Sequence, residues 1–398
     1  MNILFINSFD CSPTNSGGVN RTVYILSRYL MKKNGYRCFL GYYEDNPVRP
    51  LADFDGKIKL KTNFDAEEFE NFLTDNNIDV VQVNFLKKEN LHTIPIICDI
   101  ARRRGVKVLY CLHVAPAFET VTYGTFARVW YSITHGERWT VELRRWLITA
   151  THGLIKPVAF RLIRKKYLVP YQASDKTVLL SANYRQPYLE IIGQKDAGKF
   201  EAIGNALTFS EFATEQDIEA KQKQVLMVAR FDEFSKRMSL ALKIWRQVER
   251  DHRFDDWTLT LVGTGEAMNY YQYLVKKWGL KRVVFTGLQK PMEYYRAASV
   301  FLMTSAAEGW PMTLGESLQM GTPVVAFDSF GALHDLVEDG INGRIVANND
   351  MDAFYDALTD IMLDEKKRQQ MSRNAIEKSH EFEIGNIIDK WVKLHQRL

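Results

Sequence analysis

Glu308-Gly-Trp-Pro-Met-Thr-Leu-Gly-Glu316 sets two carboxylates eight positions apart, one just past an apolar run and one inside the segment that follows. The run Val300–Met303 is short, starts on a β-branched residue and ends in Thr-Ser-Ala-Ala, so it reads as a buried strand. Pro311 suits the first turn of a helix, and Met312–Met320 continues that helix with apolar residues at Leu314 and Leu318. The stretch is therefore strand, acidic loop, helix. Unpaired amides at the helix start attract an anion such as a diphosphate. Glu308 is placed just outside the carboxyl end of a strand, where open parallel sheets bind ligands. Glu316, one turn into the helix, is placed to accept hydrogen bonds from a ribose diol. An exposed loop glutamate and a solvated helix glutamate are the plain alternative.

Working outward, Gly321-Thr-Pro-Val-Val-Ala326 reads as the next strand. A loop from Gly331 to Asp335 and the turn Asp339-Gly-Ile-Asn-Gly343 follow it. In this order the segments resemble the GT-B nucleotide-sugar glycosyltransferases of family 4, which carry E-x7-E, a Gly-Xaa-Pro-Val-Val strand, a glycine loop ending in an acid and a D-G-x-x-G turn. Two departures stand out: Gly331-Ala-Leu-His-Asp335 replaces the family's Gly-Gly-x-Pro-Glu, and Trp310-Pro-Met replaces the commoner Phe-Gly. The resemblance implies an α/β chain of GT-B architecture, two Rossmann-like domains facing across a cleft.

Composition agrees with a two-domain globular protein: 398 residues, 46% hydrophobic, 25% charged. Met1-Asn-Ile-Leu-Phe-Ile-Asn lacks a basic head and a long apolar core, so it reads as a strand rather than a signal peptide. Cys11, Cys38, Cys98 and Cys111 have no metal-type spacing and read as reduced thiols of a cytoplasmic protein. The net charge of +4 is uneven. Between Arg128 and Lys166 stand nine basic and two acidic residues, +7, which leaves −3 for the remainder. Trp130, Tyr131, Trp139, Trp146 and Phe160 are interleaved with them. Basic residues mixed with aromatics suit an anionic membrane surface, gripped without being spanned. A helical insert with merely solvated charges is the alternative. Nucleic acid is not expected, since no reading motif accompanies the charge.

Apolar runs alternate with helical periodicity through most of the chain, the signature of parallel α/β sheets. Strands are expected also at Asn2–Ile6, Arg37–Tyr42, Asp79–Val83, Val106–Leu112, Thr177–Leu180, Phe200–Ile203, Thr258–Val262 and Val283–Phe285. Helices are expected at Asn20–Lys33, Glu67–Asn76, Leu91–Arg104, Met238–Glu249, Ala267–Trp278, Met351–Leu363 and Glu365–Lys378. The expected division is residues 1–205 as a first domain, with a helical basic insert at about 116–170, and residues 206–378 as a second. A C-terminal helix at 379–398 is implied by the resemblance to pack back on the first.

The loop Ser16-Gly-Gly-Val-Asn-Arg21 follows the first strand and precedes an amphipathic helix, so Gly17 and Gly18 would let backbone approach a ligand closely. His113 closes the run Val106–Leu112; the resemblance implies that it reaches hydroxyls of a donor sugar. Arg230 and Lys236, six apart after the run Val225–Ala229, pair a two-pronged clamp with a movable charge for phosphate oxygens. Arg237 stands beside them where the family often has glycine. Val262-Gly-Thr-Gly-Glu266 fails as a dinucleotide fingerprint, because Met268 replaces the third glycine, but fits a tight turn near a nucleotide, with Gly263 in it. Asp53-Phe-Asp55 and Asp350-Met-Asp352 lie outside this constellation, and Asp350 reads as a helix cap.

The resulting expectation is a retaining, metal-independent glycosyltransferase without a cofactor, the nucleotide sugar being a co-substrate. Its donor, with UDP favoured, would be held by Arg230, Lys236, Gly263, Glu316 and the backbone of Gly309, Trp310, Pro311, Met312 and Thr313, with Gly17 and Gly18 near its phosphates. His113 and Glu308 would be catalytic. A saccharide or lipid-linked saccharide would be the acceptor, in polysaccharide, lipopolysaccharide or glycolipid synthesis. The expected location is the cytoplasm, peripheral on the inner face of the membrane. The rivals are a GT-B nucleotide-sugar epimerase and a non-catalytic nucleotide- or membrane-binding protein.

Overall fold

The β-branched and apolar runs become two parallel sheets in the computed structural model, which describes residues 1–12, 18–33, 35–48, 50–84, 90–120, 123–195 and 198–398. The strands are β1 (Asn2–Phe9), β2 (Arg37–Glu44), β3 (Gly56–Lys59), β4 (Val80–Val83), β5 (Lys107–Leu112), β6 (Lys176–Leu179), β7 (Phe200–Ala202), β8 (Gln222–Val228), β9 (Thr258–Val262), β10 (Val283–Gly287), β11 (Ala298–Met303), β12 (Val324–Asp328) and β13 (Gly343–Ala347). The first sheet has the order β3-β2-β1-β4-β5-β6-β7 and the second β10-β9-β8-β11-β12-β13. Strands in such sheets are covered on both faces, so they read as unbroken apolar runs. Ile3–Ile6 and Val300–Leu302 show this directly: each is at most 1% exposed. In register, Phe5 pairs with Leu40 and Phe301 with Val324.

Strands β3 and β13 have no counterpart in the sequence expectations. Each is the outer strand of its sheet, and Gly-Lys-Ile-Lys and Gly-Arg-Ile-Val-Ala offer, after their glycines, apolar runs of only one and three residues. A strand with one open side has no need of a continuous apolar run. Helices connect many of the strands, and several start on the side chain that the sequence offers. Asp350 accepts from the Ala353 amide at 3.0 Å, and Asp65 from Glu68 at the same distance.

The chain divides into two compact, Rossmann-like units. One comprises Met1–Ala117, Phe160–Ala206 and Ile384–Leu398; the other comprises Phe118–Ala159 and Leu207–Glu383. This corrects the expected partition in one place. Phe118–Ala159, placed with the first domain from sequence order, belongs to the second unit. The reason is aromatic packing by the helix Phe126–Thr134. Tyr131 meets Tyr270 and Tyr273, each at 5.0 Å between ring centroids, and the Arg128 guanidinium lies 4.8 Å from the Tyr270 ring centre. The long helix Trp139–Ala173 contributes Trp139–Ala159 to the second unit and Phe160–Ala173 to the first. Within the first unit the C-terminal helix Ile384–Gln396 buries Ile387, Ile388, Trp391 and Leu394. All four cysteines are buried free thiols. Burial pushes the thiols of Cys11, Cys38 and Cys98 up to about 12, which keeps them protonated and unreactive.

Candidate active site

In the second sheet β8 and β11 are neighbours, while the chain runs outward from β8 through β9 to β10 and, on the other side, from β11 through β12 to β13. The loops leaving the carboxyl ends of β8 and β11 therefore diverge, which opens a crevice at that point of an α/β sheet. The first of these loops carries Arg230 and Lys236, the second Glu308.

Arg230 reaches outward, its side chain 74% exposed, and is held by Asp232 at 3.1 Å. Asp232 also caps the short helix Glu233–Lys236, accepting from the Phe234 amide at 3.0 Å and the Ser235 hydroxyl at 2.7 Å. Lys236 Nζ lies 2.5 Å from Glu308 Oε1, and the Ser305 hydroxyl donates to the same oxygen at 2.6 Å. Two residues that stand 72 apart in sequence thus form one ion pair. Coulomb attraction at such a short range and low exposure fixes both side chains.

The helix Met312–Gln319 starts one residue later than the proline rule alone suggests. Pro311 is its cap in extended conformation, and its carbonyl accepts from Leu314 at 2.9 Å and Gly315 at 3.3 Å. Met312 and Thr313 then supply the first-turn amides, the donors that a helix start presents to an anion. Trp310 is buried edge-on against Phe382, with ring centroids 5.2 Å apart, so its indole serves packing. Glu316 is 4% exposed and accepts from Thr208 Oγ1 at 2.5 Å and from the Tyr295 hydroxyl at 3.3 Å. Sequence spacing gives no sign of Thr208, which lies 108 positions away.

Gly263 has a packing reason for being glycine. Its φ is +137°, and a Cβ there would stand 1.9 Å from the Ala229 carbonyl oxygen. Gly265 likewise lies against the Phe231 backbone, where a Cβ would approach to 2.5 Å. The end of β9 is thereby pressed onto the loop that carries Arg230. Arg237, a departure from the family pattern, is 2% exposed at φ +50°; its guanidinium is bonded to Thr304, Ser305, Asn348 and Asn349. Its only sequence signal is the missing glycine. His334 pairs with Asp328 at 2.9 Å.

In the first unit the switch falls between β1 and β4. Gly18 begins the helix Gly18–Met31, and Gly17 lies outside the described residues. His113 follows β5, and its Nε2 is 3.1 Å from Asn84 Oδ1, just past β4. Asn84 Oδ1 also accepts from Gln82 Nε2 at 3.1 Å. Burial pulls the His113 pKa down to about 4, so the ring is neutral at pH 7. With Nε2–H donating to Asn84, a tautomer assigned from the hydrogen-bond network, Nδ1 is left as a buried acceptor without a partner among the described residues. The second unit thus joins Lys236 to Glu308, with Arg230 and Gly309–Thr313 on the same two loops, while Glu316 lies in the helix that follows, against Thr208 and Tyr295. The first unit places Gly18 and His113 just past strands of its own sheet.

Residues 209–378 match the family described as glycosyl transferases group 1. The chain is similar to a Campylobacter jejuni protein named GalNAc-alpha-(1->4)-GalNAc-alpha-(1->3)-diNAcBac-PP-undecaprenol alpha-1,4-N-acetyl-D-galactosaminyltransferase: 24% identical over 257 residues, 64% of this chain and 69% of that one. It is also similar to the amylovoran biosynthesis glycosyltransferase AmsD of Erwinia amylovora, 27% identical over 235 residues, 58% of this chain and 64% of that one. Among solved structures, Anabaena HepE in complex with UDP superposes with a TM-score of 0.70 at 17% identity, covering 100% of both chains. The lipopolysaccharide outer core galactosyltransferase WaaB superposes at 0.68 with 14% identity over the same full coverage. At such identities the structural likeness is one of fold.

Proposed function

We propose, from the premise that this chain carries a glycosyl transferases group 1 domain over residues 209–378, that it is a retaining glycosyltransferase moving a sugar from a nucleotide donor, UDP favoured, to an acceptor hydroxyl. The observation that carries this reading is the Lys236–Glu308 pair at the switch point of the second sheet, with a helix start beside it. The new bond forms between the acceptor oxygen and the anomeric carbon, on the face from which the diphosphate departs. As the bond from that carbon to the diphosphate breaks, the acceptor's hydroxyl proton passes to the departing diphosphate oxygen. Negative charge then gathers on the departing diphosphate. Arg230, Lys236 and the amides of Gly309–Thr313 meet that charge, which is why no metal is needed. Glu316 takes the ribose hydroxyls, and Glu308 faces the donor sugar. UDP in the Anabaena HepE structure and a lipid-linked acceptor in the name of the Campylobacter relative favour these donor and acceptor classes.

Calorimetry with UDP and GDP on the wild type, Arg230→Ala and Lys236→Ala tests the donor half. The expected result is UDP affinity reduced about tenfold by each substitution, a value typical of one charge-assisted phosphate contact. Glu308→Gln is expected to lower UDP release from a UDP-sugar in the presence of acceptor by roughly a hundredfold or more. Wild-type turnover by Glu308→Gln would sink the site assignment. EDTA is expected to leave turnover unchanged; loss restored by manganese would refute metal independence.

The acceptor is proposed to lie at a membrane, on which the segment Phe118–Ala159 docks. No helix among the described residues is long and apolar enough to cross a membrane. Phe126, Trp130 and Ile133, on one face of their helix, are 58%, 59% and 49% exposed. Glu137 and Glu142 turn inward, to Arg128 at 2.6 Å and to Arg145 at 2.9 Å, while Arg138 and Arg144 stay exposed. The outer face is therefore apolar and cationic, matched to anionic lipid. Flotation with phosphatidylglycerol vesicles at low salt should carry the protein upward, and Phe126→Ser/Trp130→Ser should leave it behind. Wild-type protein that fails to float ends this part.

A further inference from the structure

Arg237 occupies a position that the phosphate-gripping loop gives it at a backbone cost. At φ +50° it sits in the left-handed region, which an L side chain other than Asn or Asp enters at about 1 kcal/mol or more. The side chain gives the reason for keeping it. Arg237 Nε donates to the Thr304 carbonyl at 2.6 Å and Nη2 to the Ser305 carbonyl at 2.6 Å. Nη1 donates to Asn348 Oδ1 at 2.9 Å and Asn349 Oδ1 at 2.8 Å. The guanidinium also lies between aromatic rings, 5.3 Å from the centre of Tyr123 and 5.4 Å from that of Phe327.

Thr304 and Ser305 are the residues where the loop after β11 begins, three to four positions before Glu308. Arg237 directly follows Lys236. The two loops are laced at the same place by Ala306 N to the Ser235 carbonyl at 2.7 Å and by Thr304 Oγ1 to the Lys236 carbonyl at 2.9 Å. Those two bonds fix one strand end to another, and the Ser305 carbonyl accepts besides from the Ser329 hydroxyl at 2.6 Å, but neither ties the Thr304 and Ser305 carbonyls to one donor group. The guanidinium, with donors in a fixed plane, holds both carbonyls in one orientation. Ser305 then points its hydroxyl at Glu308, and Lys236 completes the pair.

We propose that Arg237 is a positioning residue: by clasping the loop after β8 to the loop after β11 it sets the Lys236–Glu308 pair, and with it the lysine's grip on a donor diphosphate. This rests on the reading of Lys236 as a diphosphate ligand, and the test separates the two. Arg237→Gly relieves the backbone while removing the clasp; Arg237→Lys keeps the charge but replaces a planar fork with a single point of donation.

UDP and GDP affinities are measured by calorimetry for the wild type, Lys236→Ala, Arg237→Gly and the double variant, with melting temperatures alongside. Arg237→Gly is expected to weaken the nucleotide about tenfold in the wild-type background and less than twofold in the Lys236→Ala background, the pattern of residues that act as a unit. Arg237→Lys is expected to fall between wild type and Arg237→Gly in affinity. Equal losses in both backgrounds overturn the proposal, as does a lowered melting temperature with unchanged nucleotide affinity in either Arg237 variant. If Arg237→Gly does not fold, the same cycle run with Arg237→Lys decides by the same criterion. A wild type that binds neither nucleotide, or a Lys236→Ala protein that binds as the wild type does, refutes the site reading and the proposal with it.

Discussion

A Cβ placed on Gly263 would stand 1.9 Å from the Ala229 carbonyl oxygen, whereas one placed on Gly18 meets nothing within 4 Å. Both glycines are singled out by the sequence as ligand-approaching, yet only Gly263 has a packing reason for its identity. Gly263→Ala is therefore expected to destabilise the protein by about 3 kcal/mol through forced displacement of the β8 loop, while Gly18→Ala leaves stability nearly unchanged. Differential scanning fluorimetry of the two variants checks this; a Gly263→Ala protein that melts with the wild type refutes the clash. Glu308, Lys236 and Arg230 were legible because their charges sit in a recognisable spacing. Arg237 and Thr208 were not, since a buried guanidinium and a distant hydroxyl become partners of the site only after the chain has brought them there.

Lys221 stands at the start of the second unit's sheet and anchors several elements at once. Its Nζ donates to the carbonyls of Tyr295, Arg296, Ala298 and Met320 at 2.9–3.2 Å and to the Thr322 hydroxyl at 3.1 Å. Those acceptors end the helix Met292–Ala297, start β11 and end the helix Met312–Gln319, so one ammonium fixes the far end of the helix that carries Glu316. Burial pulls its pKa down to about 7, while the ring of acceptors holds the donor geometry. Lys221→Met removes the donor and strands the carbonyls, an expected cost of about 3 kcal/mol and a melting point lower by several degrees. A melting point within 1 °C of the wild type, roughly 0.3 kcal/mol here, would count against the anchor. Element types were legible wherever burial is two-sided: β9 and the helix Met351–Leu363 match the sequence reading end to end. Strands β3 and β13 were missed because an edge strand answers to hydrogen bonding with one neighbour more than to apolar content.

At the scale of the whole molecule, His395 shows how the C-terminal helix belongs to the first unit. It is 2% exposed, its ring 6.0 Å from Tyr36 and 5.8 Å from Trp391, with neither nitrogen bonded among the described residues. Burial pulls its pKa from 6.5 down to about 4, so the unfolded chain takes the proton first. Its contribution is complete above about pH 6.5 and falls away as pH drops toward 4, by about 3 kcal/mol in all. Glu233 works in the opposite sense: burial raises its carboxyl to about 7, and that contribution fades as pH rises through 7. The clean measure is therefore the difference between wild type and His395→Phe, expected to grow in favour of the variant as melting is followed from pH 7 to pH 4.5. A constant difference would refute the buried neutral ring. The sequence by itself determined the alternation of strands and helices, the two-unit α/β plan and the carboxylate–cation spacing, because these depend on local periodicity and on side-chain chemistry. Only the tertiary structure decided that Phe118–Ala159 packs with the second unit, that Lys236 meets Glu308, and that Arg237 clasps the loops around them. Those outcomes depend on which distant surfaces fit one another, and a linear pattern of residues carries no record of that fit.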